Sequence, residues 1–275
     1  MFEIIEKKVL NSQVTALTIS APLIASKVQA GQFVIVRVHD KGERIPLTVA
    51  DFDRKKGTVT IIFQAIGFTT KKLSLLNEGD CICDCVGPLG MPTELGAPKK
   101  AIVIGGGVGC AIAYPQAKTL NNMGVKTTVV AGFKSKDIVI LEDEFKVVSD
   151  SLYITTDDGS YGQKGFVTEV LKDLLSKDSY DLVVAIGPVP MMKAVAEVTR
   201  PLNVRTIVSL NPVMIDGTGM CGGCRVTVGG EVKFACVDGP DFDAHLVDFD
   251  ELMLRNTYYR QEEAHACRME GKING

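Results

Sequence analysis

The chain has 275 residues, 46% of them hydrophobic and 23% charged, and a formal net charge of −3 at pH 7. This length can bury a sizeable core in one or two domains, and the charge lacks the basic footprint of a nucleic-acid-binding protein. No apolar run reaches the roughly 18 residues that span a membrane, and the charged N-terminal segment lacks the core of a signal peptide. We therefore expect a cytoplasmic protein, whose eight cysteines are core fillers, metal ligands or redox groups rather than disulfides.

Residues 1–95 are predicted to form a domain of antiparallel strands. Short β-branched segments bounded by Gly, Asp or Lys turns carry this pattern. They are QVTALTIS, QFVIVRVH, GTVTIIFQA and CICDCVG. Several strands at such close spacing indicate a barrel or a sandwich. One helical segment, GFTTKKLSLL, interrupts them, and we expect a threonine to cap it.

Strands and helices alternate after the segment GAPKK, residues 96–100, which is interpreted as a linker. The apolar run AIVIGG is typical of a strand buried on both faces of a parallel sheet. The strands KTTVVAGF, SLYITTDD, DLVVAIG and RTIVSL then alternate with the helical segments AIAYPQAKTLNNMG, TEVLKDLLSK and PMMKAVAEVTR. Residues 96–209 are therefore predicted to form an α/β domain that binds its ligand at the carboxyl ends of the strands.

The turn after AIVIGG is rich in glycine, which lets a backbone approach a pyrophosphate at the N-terminus of a helix. Its candidate nucleotide-binding residues are Gly105, Gly106, Gly107, Val108 and Gly109. Because Cys110 replaces the third glycine of G-x-G-x-x-G, a turn that serves packing alone is an alternative. The loop AIGPVPMM, at the end of a later strand, adds Gly187, Pro188 and Met191. Two such loops favour a nicotinamide cofactor.

A glycine-rich stretch contains four candidate metal ligands, spaced Asp216-x4-Cys221-x2-Cys224-x11-Cys236. Plant-type [2Fe–2S] proteins space three cysteines in this way and place a fourth further on, so the pattern matches with Asp in the first place. Zinc also accepts thiolate and carboxylate, but structural zinc sites usually have two close pairs and only one occurs here. A turn with incidental cysteines is the third alternative. The spacing favours a [2Fe–2S] module with a C-terminal tail over residues 210–275.

The remaining cysteines are interpreted as structural. Cys81, Cys83 and Cys85 alternate along a predicted strand, so we expect them on one face as small buried hydrophobes rather than as metal ligands. Cys110 is expected to pack beside the glycines. Cys267 lies in the polar tail, which is predicted to be helical from about Asp250 to His265.

The order of these motifs resembles the ferredoxin–NADP reductase superfamily, in which a flavin-binding barrel precedes a nicotinamide domain. RIPLT is similar to the superfamily's Arg-x-Tyr-Ser strand end, although Ile45 stands in the arginine's place and Arg44 comes one residue early. IGPVPMM is similar to its Cys-Gly-Pro-x-Pro-Met signature, and GPLG to its domain junction. The resemblance implies non-covalent FAD, held by two segments. Their residues are Pro46, Leu47, Thr48, Val49, Ile62, Phe63, Gln64, Gly67, Thr69 and Thr70.

Within the superfamily, the C-terminal module resembles two kinds of electron-transfer subunit. The cluster of dihydroorotate dehydrogenase B has four cysteines, whereas Asp replaces the first in the small subunit of NADH-dependent ferredoxin:NADP oxidoreductase, also known as a sulfide dehydrogenase subunit. Asp216 favours the second. The resemblance implies hydride exchange between NAD(H) and FAD, with single electrons passing through [2Fe–2S] to a larger subunit. That subunit would carry FAD and [4Fe–4S] clusters and would use ferredoxin and NADP(H) in flavin-based bifurcation.

Alternatives remain open at this stage. The chain's nucleotide could be NAD or NADP, because Lys134 and Lys136 stand beside Asp137 after the second strand. The partner could instead oxidise dihydroorotate or belong to a sulfide dehydrogenase. A protein of another class, a zinc-stabilised nucleotide-binding regulator, would have no redox role. No general acid or nucleophile is expected in any of the redox alternatives, because the cofactors carry the chemistry.

Overall fold

Seven strands from the N-terminal third form an antiparallel sheet in the computed structural model, which describes residues 1–258 and 265. They are β1 (Phe2–Val9), β2 (Val14–Ser20), β3 (Phe33–Arg37), β4 (Arg44–Asp53), β5 (Thr58–Gln64), β6 (Cys81–Ile82) and β7 (Asp84–Leu89). The order in space is β6-β1-β2-β5-β4-β3-β7. The two edge strands are thus consecutive in the chain, and the sheet curls into a nearly closed barrel, as predicted.

Strand β3 has two different buried faces. Val34 and Val36 are fully buried in the barrel core. Phe33 and Ile35 point the opposite way, as the alternation of a strand requires, and join a second core that includes the C-terminal module. The barrel therefore packs against the rest of the molecule through the outer face of β3.

The barrel also contains two helices, α1 (Pro22–Ala25) and α2 (Phe68–Leu75). Helix α2 begins after Gly67, whose extended backbone makes it the N-cap. The predicted threonine cap is wrong. The Thr70 hydroxyl instead accepts a hydrogen bond from the Gly67 N–H at 3.0 Å from inside the first turn, which gives that amide the partner that a cap residue normally provides for helix amides.

The second sheet contains seven strands, and a separate two-stranded hairpin follows it. The strands are β8 (Lys100–Gly106), β9 (Lys126–Phe133), β10 (Ser151–Thr156), β11 (Gln163–Lys164), β12 (Leu182–Ile186), β13 (Arg205–Ser209), β14 (Arg225–Val228), β15 (Glu231–Phe234) and β16 (Asp241–Asp243). The sheet order is β11-β10-β9-β8-β12-β13-β16, and β14 pairs with β15. All pairs within the large sheet are parallel except β13 with β16. The strand order reverses between β8 and β12, where open α/β sheets bind their ligands.

Six helices accompany these strands within residues 1–258. They are α3 (Gly109–Asn122), α4 (Glu142–Val148), α5 (Val167–Lys177), α6 (Val189–Thr199), α7 (Ala235–Asp238) and α8 (Phe249–Arg255). Helix α8 covers the start of the predicted tail helix, whereas residues 259–264 and Cys267 lie outside the described residues. No helix within residues 1–258 and 265 has both the length and the apolar character needed to cross a membrane.

The three alternating cysteines do not share one face, so that expectation is wrong. The chain bends at Cys83, between β6 and β7, which breaks the alternation of a continuous strand. Cys81 is exposed, Cys83 is half-buried and only Cys85 is buried, where desolvation raises the pKa of its thiol to about 12. Cys85 therefore acts as a core residue, while the Cys83 thiol donates to Asp40 Oδ1 at 3.1 Å.

Candidate functional site

The cysteine loop lies directly on the outer face of the barrel. Gly217 has a φ of +81°, and a Cβ there would lie 3.1 Å from Ile35 Cγ1 and Leu89 Cδ1. Glycine is therefore needed at this position both for its left-handed backbone and for the close contact. The loop that carries Asp216 and Cys221 is thereby held against strands β3 and β7.

The hairpin β14–β15 brings the last two cysteines together. Arg225 pairs with Phe234 in the register of the hairpin, and the Ala235 N–H donates to the Cys224 carbonyl at 3.1 Å. As a result, the Sγ atoms of Cys224 and Cys236 lie 3.2 Å apart, both in buried residues. The hairpin, which the sequence analysis did not predict, thus forms one half of the candidate cluster site.

Local hydrogen bonds favour the anionic form of the first two candidate ligands. The Cys221 sulfur accepts from the Gly223 N–H at 3.4 Å, and backbone N–H groups at Gly223 and Asp216 lower the pKa of its thiol. The Asp216 carboxylate accepts from the hydroxyl and the N–H of Thr218, which lower its pKa. Cys221 is exposed and Asp216 half-buried, so this half of the site is nearer to solvent.

The donor set fits an iron–sulfur cluster better than a single zinc ion. Within residues 1–258 and 265, no three His, Cys, Asp or Glu side chains converge as one metal ion requires. A zinc ion would need all four donors at about 2.0–2.3 Å from one centre. An iron–sulfur cluster shares its ligands between more than one iron, so the single close pair of sulfurs at Cys224 and Cys236 is compatible with a cluster.

The two predicted nucleotide loops lie side by side at the carboxyl ends of β8 and β12. A Cβ on Gly106 would lie 2.5 Å from Met191 Sδ, and one on Gly109 would lie 2.5 Å from the Ile186 carbonyl oxygen. These glycines, like Gly105 against Cys110 Sγ at 2.7 Å, serve the packing of the two loops. Among the four glycines from 105 to 109, only Gly107, with φ +56°, has nothing within 4 Å of a Cβ position.

Three other nucleotide-loop residues complete this edge of the sheet. Val108 is the N-cap of helix α3 and Pro188 the N-cap of helix α6. A Cβ on Gly187 would lie 2.8 Å from Met191 Cε and 3.1 Å from Gly106 Cα. Both predicted loops are therefore brought together, with two helix N-termini at the strand-order reversal.

The two segments expected to hold flavin are neighbours in the barrel. Val49 of β4 pairs with Ile61 of β5, which places the stretch from Pro46 to Val49 beside the stretch from Ile62 to Gln64. Val49 and Phe63 are 1% and 2% exposed, so only their backbone groups are available to a ligand. Half-buried side chains remain at Pro46, Leu47, Thr48, Ile62 and Gln64.

A carboxylate contacts the first turn of helix α2. The Thr69 hydroxyl donates to Glu43 Oε2 at 2.5 Å, in the first turn after Gly67. Helix N-termini favour anions through their free N–H groups and the helix dipole, and the Glu43 carboxylate stands where the resemblance places a pyrophosphate. Glu43 was not singled out from sequence, because only the fold brings residue 43 to residue 69.

A buried polar cluster joins the three parts of the chain. Thr93 Oγ1 donates to Asp241 Oδ2 and accepts from Gln116 Nε2 at 2.5 Å. Asp241 Oδ1 and Gln116 Oε1 are buried without a partner. Desolvation raises the pKa of Asp241 to about 6, although Ser209 and Thr93 oppose that rise through hydrogen bonds. The cluster connects the segment that follows β7, helix α3 and strand β16.

Comparison with known proteins agrees with this geometry. Residues 211–248 match the model of the iron-sulfur cluster binding domain of dihydroorotate dehydrogenase B. A Thermotoga maritima homologue of the electron transfer subunit of dihydroorotate dehydrogenase B (NAD(+)) is 48% identical, over 95% of this chain and 92% of that protein. An uncharacterised Clostridium beijerinckii protein from the adh 3′ region is 49% identical, over 97% and 93% of the two chains.

A solved structure is also similar over nearly the whole chain. It comes from the NADH-dependent reduced ferredoxin-NADP oxidoreductase, studied for flavin-based electron bifurcation. The two chains are 46% identical, with a TM-score of 0.93, and the alignment covers 98% of this chain and 97% of the other.

The barrel, the parallel sheet and the cysteine loop define an oxidoreductase subunit of the ferredoxin–NADP reductase superfamily with an added iron–sulfur cluster binding domain. The chain belongs to the family of dihydroorotate dehydrogenase B electron-transfer subunits and their homologues. The resemblance inferred from the motifs is thereby confirmed, and so are the barrel plus α/β fold class and the oxidoreductase class.

Proposed function

We propose that the chain is the small, electron-transferring subunit of an NADH-dependent ferredoxin:NADP oxidoreductase. In this role it exchanges hydride between NAD(H) and FAD and passes single electrons, in either direction, between FAD and a [2Fe–2S] cluster. The proposal rests on the position of the cysteine loop against the outer face of the barrel. Gly217 packs on Ile35, and Ile35 is the cross-strand partner of Pro46 in the expected flavin segment. One strand thus separates the two candidate cofactor sites.

Bound FAD accepts two electrons as hydride and releases them singly, and a [2Fe–2S] cluster carries one electron at a time. The chain's own residues position these groups. Thr48 offers a hydroxyl at the end of the flavin segment, and the first turn of α2 at Gly67, Thr69 and Thr70 offers donors to the pyrophosphate. The side-by-side loops at Gly107 and Pro188 receive the nicotinamide nucleotide at the strand-order reversal.

The cluster would be held by Asp216, Cys221, Cys224 and Cys236. The hydrogen bonds to Asp216 and Cys221 and the 3.2 Å contact between Cys224 and Cys236 support this set of ligands. Glycine-rich turns also leave backbone N–H groups near the sulfurs, which stabilise thiolate charge.

NAD(H) is the nucleotide that the names of the relatives favour, because the Thermotoga and Fusobacterium subunits are named for dihydroorotate dehydrogenase B (NAD(+)). The residues after β9 do not oppose this choice. Lys134 and Lys136 are both exposed, and the Lys136 ammonium lies 5.4 Å from the centre of the Tyr161 ring. We therefore interpret these lysines as solvated surface residues rather than as a 2′-phosphate site.

A chain that ends its electron path in a cluster needs an acceptor or donor protein. We propose a larger subunit with FAD and [4Fe–4S] clusters, which handles NADP(H) and ferredoxin and couples the two transfers by bifurcation. The support is the 46% identity, over 98% of this chain, to a chain of the bifurcating oxidoreductase. Asp216 in the first ligand position is the second support, because it departs from the four-cysteine pattern.

A second candidate is the electron-transfer subunit of dihydroorotate dehydrogenase B itself. It is favoured by the domain match over residues 211–248 and by the names of several relatives at 36–38% identity. The larger partner distinguishes the two candidates, because one partner oxidises dihydroorotate and the other handles NADP(H).

The test begins with the chain purified anaerobically. We expect about two irons, two acid-labile sulfides and one FAD per chain, and bleaching of the flavin by NADH. One zinc per chain without sulfide or flavin would refute the proposal. Affinity purification of the tagged chain from its native cell, followed by assays with NADPH plus ferredoxin and with dihydroorotate, then identifies the partner's reaction.

A further inference from the structure

An ion pair joins the strand expected to hold flavin to the helix that begins at the nucleotide loop. The Lys118 ammonium of α3 donates to both carboxylate oxygens of Asp51 on β4, at 2.7 and 3.0 Å. The two residues are 67 positions apart in the chain, and their side chains are both half-buried. The Asp51–Lys118 pair is therefore a direct polar contact between the barrel and the nucleotide domain.

The barrel end of the pair is directed by an irregularity in strand β4. Val49 is opposite Ile61 of β5, but Asp51 is opposite Thr60, so two steps along β4 match one step along β5. A bulge of this kind changes the direction in which a side chain points. The Phe52 N–H also donates to Asp51 Oδ1 at 2.8 Å, which fixes the carboxylate. Asp51 is thus held two residues beyond Val49, the end of an expected flavin segment.

The other end of the pair is carried by a continuous helix. Lys118 lies nine residues after Gly109, where α3 begins, which is roughly 14 Å along the helix axis. Its ammonium is 5.8 Å from the centre of the Tyr114 ring, a contact that favours a cation. That ring packs edge-on against Phe145 of α4. Because Lys118 and the nucleotide loop at Gly107 are joined by this helix, the pair restrains the position of the loop.

Apolar contacts between the two domains do not select one alignment of them. Val14 of the barrel is buried in the core of the nucleotide domain, and Leu10 and Ile62 pack against that core. Burial of this kind is non-directional, whereas an ion pair with a fixed carboxylate favours one arrangement. A second ion pair, Lys8 with Glu144, joins the same domains at 3.4 Å. Its lysine is exposed and lies on β1, outside the expected flavin segments.

We propose that the Asp51–Lys118 pair aligns the nucleotide loop with the flavin strand and thereby sets the rate of hydride transfer between NAD(H) and FAD. This inference rests on the proposed function. In that step the C–H bond at nicotinamide C4 breaks and the hydrogen, with both electrons, bonds to flavin N5. NADH is thereby oxidised, and FAD reduced, by two electrons. The rate depends steeply on the alignment of the reacting atoms. Asp51 and Lys118 act only through the two domains, so they are positioning residues.

The kinetic test compares the native full-length chain with Asp51→Asn, Lys118→Gln and the double variant, each carrying flavin. Stopped-flow bleaching of the flavin by NADH gives a limiting rate and a half-saturating NADH concentration. Each single variant should lower the limiting rate about two- to fivefold, because a half-buried ion pair contributes a modest free energy. The half-saturating concentration should not change. The double variant should be no slower than the slower single variant, because both substitutions remove the same interaction.

Hydrogen–deuterium exchange of the same purified chains gives a readout that does not depend on turnover. The peptide that covers residues 10–14 lies at the contact between the domains. It should exchange faster in Asp51→Asn and in Lys118→Gln than in the native chain, at an unchanged melting temperature. Lys118→Arg keeps the charge and should restore both the exchange and the limiting rate. If Asp51→Asn loses flavin, the two Lys118 variants decide, because Lys118 lies outside the barrel.

Lys8→Gln is the matched control, because it removes a cation from the other ion pair between the same domains. It should leave the limiting rate near the native value. Equal limiting rates in the native chain, Asp51→Asn and Lys118→Gln would overturn the inference and leave the proposed function standing. Rate losses that multiply in the double variant, or an equal loss in Lys8→Gln, would also overturn it. A native chain whose FAD is not reduced by NADH would overturn the proposed function and this inference with it.

Discussion

Cys224 and Cys236 are separated by eleven residues in the chain, yet their Sγ atoms lie 3.2 Å apart. The hairpin β14–β15 closes between them, and the bond from the Ala235 N–H to the Cys224 carbonyl fixes the ends of the hairpin. The two thiols are buried, whereas Cys221 is exposed. The half of the site formed by Cys224 and Cys236 is therefore prepared by the fold, and the other half depends on a surface loop.

Replacing Cys224 with Ala should abolish the iron–sulfur cluster and leave FAD bound. The cluster loses a ligand on the buried side, while the proposed flavin groups lie in β4, β5 and α2 of the barrel. Iron, labile sulfide and flavin contents of the purified variant measure both effects. Cys83→Ala is the control, because this half-buried thiol lies in the barrel and should leave all three contents unchanged. Loss of flavin together with the cluster would show that the modules fold as one unit.

Asp216→Cys should retain a [2Fe–2S] cluster with a changed visible spectrum and a changed potential. The variant has the four-thiolate pattern of plant-type proteins, and thiolate donates more charge to iron than carboxylate does. Absorption, circular dichroism and EPR spectra of the purified variant measure the change. Thr218→Val is the companion variant, because it keeps the ligand but removes the hydroxyl that donates to the Asp216 carboxylate. Spectra that are unchanged in Asp216→Cys would remove Asp216 from the ligand set.

The fold class could be predicted from sequence because its signals are local. Apolar strands such as β8 and β12 and the glycine turn after β8 are continuous segments whose periodicity indicates their structure. The spacing of Asp216, Cys221 and Cys224 is likewise contained in one loop. Element order then restricts the topology, because parallel strands with intervening helices have few arrangements.

The remaining features depend on contacts between distant segments. Strand β16 has only three residues and forms because β13 offers it a free edge. The contact between the Glu43 carboxylate and the Thr69 hydroxyl joins residues that are 26 positions apart in the chain. Neither the strand nor the contact leaves a periodic pattern in the sequence, so neither could be predicted. The wrong prediction of a threonine cap at α2 and the unpredicted bend at Cys83 have the same cause. Tertiary context overrides local preference at short elements.

Glu43→Gln should bind FAD more tightly than the native apoprotein does. The Glu43 carboxylate accepts from Thr69 at the N-terminus of α2, so it competes with the proposed pyrophosphate for the same donor and repels its charge. For an exposed interaction of this kind we expect a gain in affinity of roughly threefold. Fluorescence titration of the flavin-free chain measures it. Glu78→Gln, at an exposed acid elsewhere on the barrel, should have no effect, and unchanged affinity in Glu43→Gln would place the pyrophosphate elsewhere.

The folding stability of the Asp241→Asn variant should fall less with rising pH than that of the native protein. Burial raises the pKa of Asp241 in the folded chain to about 6 from an ordinary value of 3.8, so the folded state binds more protons than the unfolded state between these values. Stability is then highest below the lower value and falls as pH rises toward the higher one. The full penalty is on the order of 3 kcal/mol above pH 6. An amide avoids the penalty because it carries no charge to desolvate.

Melting temperatures of native protein and Asp241→Asn at pH 5.0 and pH 7.5 test this linkage. The difference between the two proteins should shift in favour of the Asn variant as pH rises. Asp243→Asn changes an exposed carboxylate on the same strand and should not reproduce the shift. A parallel pH response of native protein and Asp241→Asn would show that Asp241 is ionised in the folded chain without cost.

Gly107→Ala and Gly109→Ala together decide whether the glycine turn binds a nucleotide or serves packing alone. A Cβ on Gly109 would lie 2.5 Å from the Ile186 carbonyl oxygen, whereas one on Gly107 would meet nothing within 4 Å. Gly109→Ala should therefore lower the melting temperature and slow flavin reduction by NADH. Gly107→Ala carries the strain of a residue at φ +56°, roughly 1–2 kcal/mol, and places its methyl group in the space proposed for the nucleotide. Its KM for NADH should rise with little change in melting temperature. A native KM in Gly107→Ala would favour the packing alternative and move the nucleotide to the loop at Pro188.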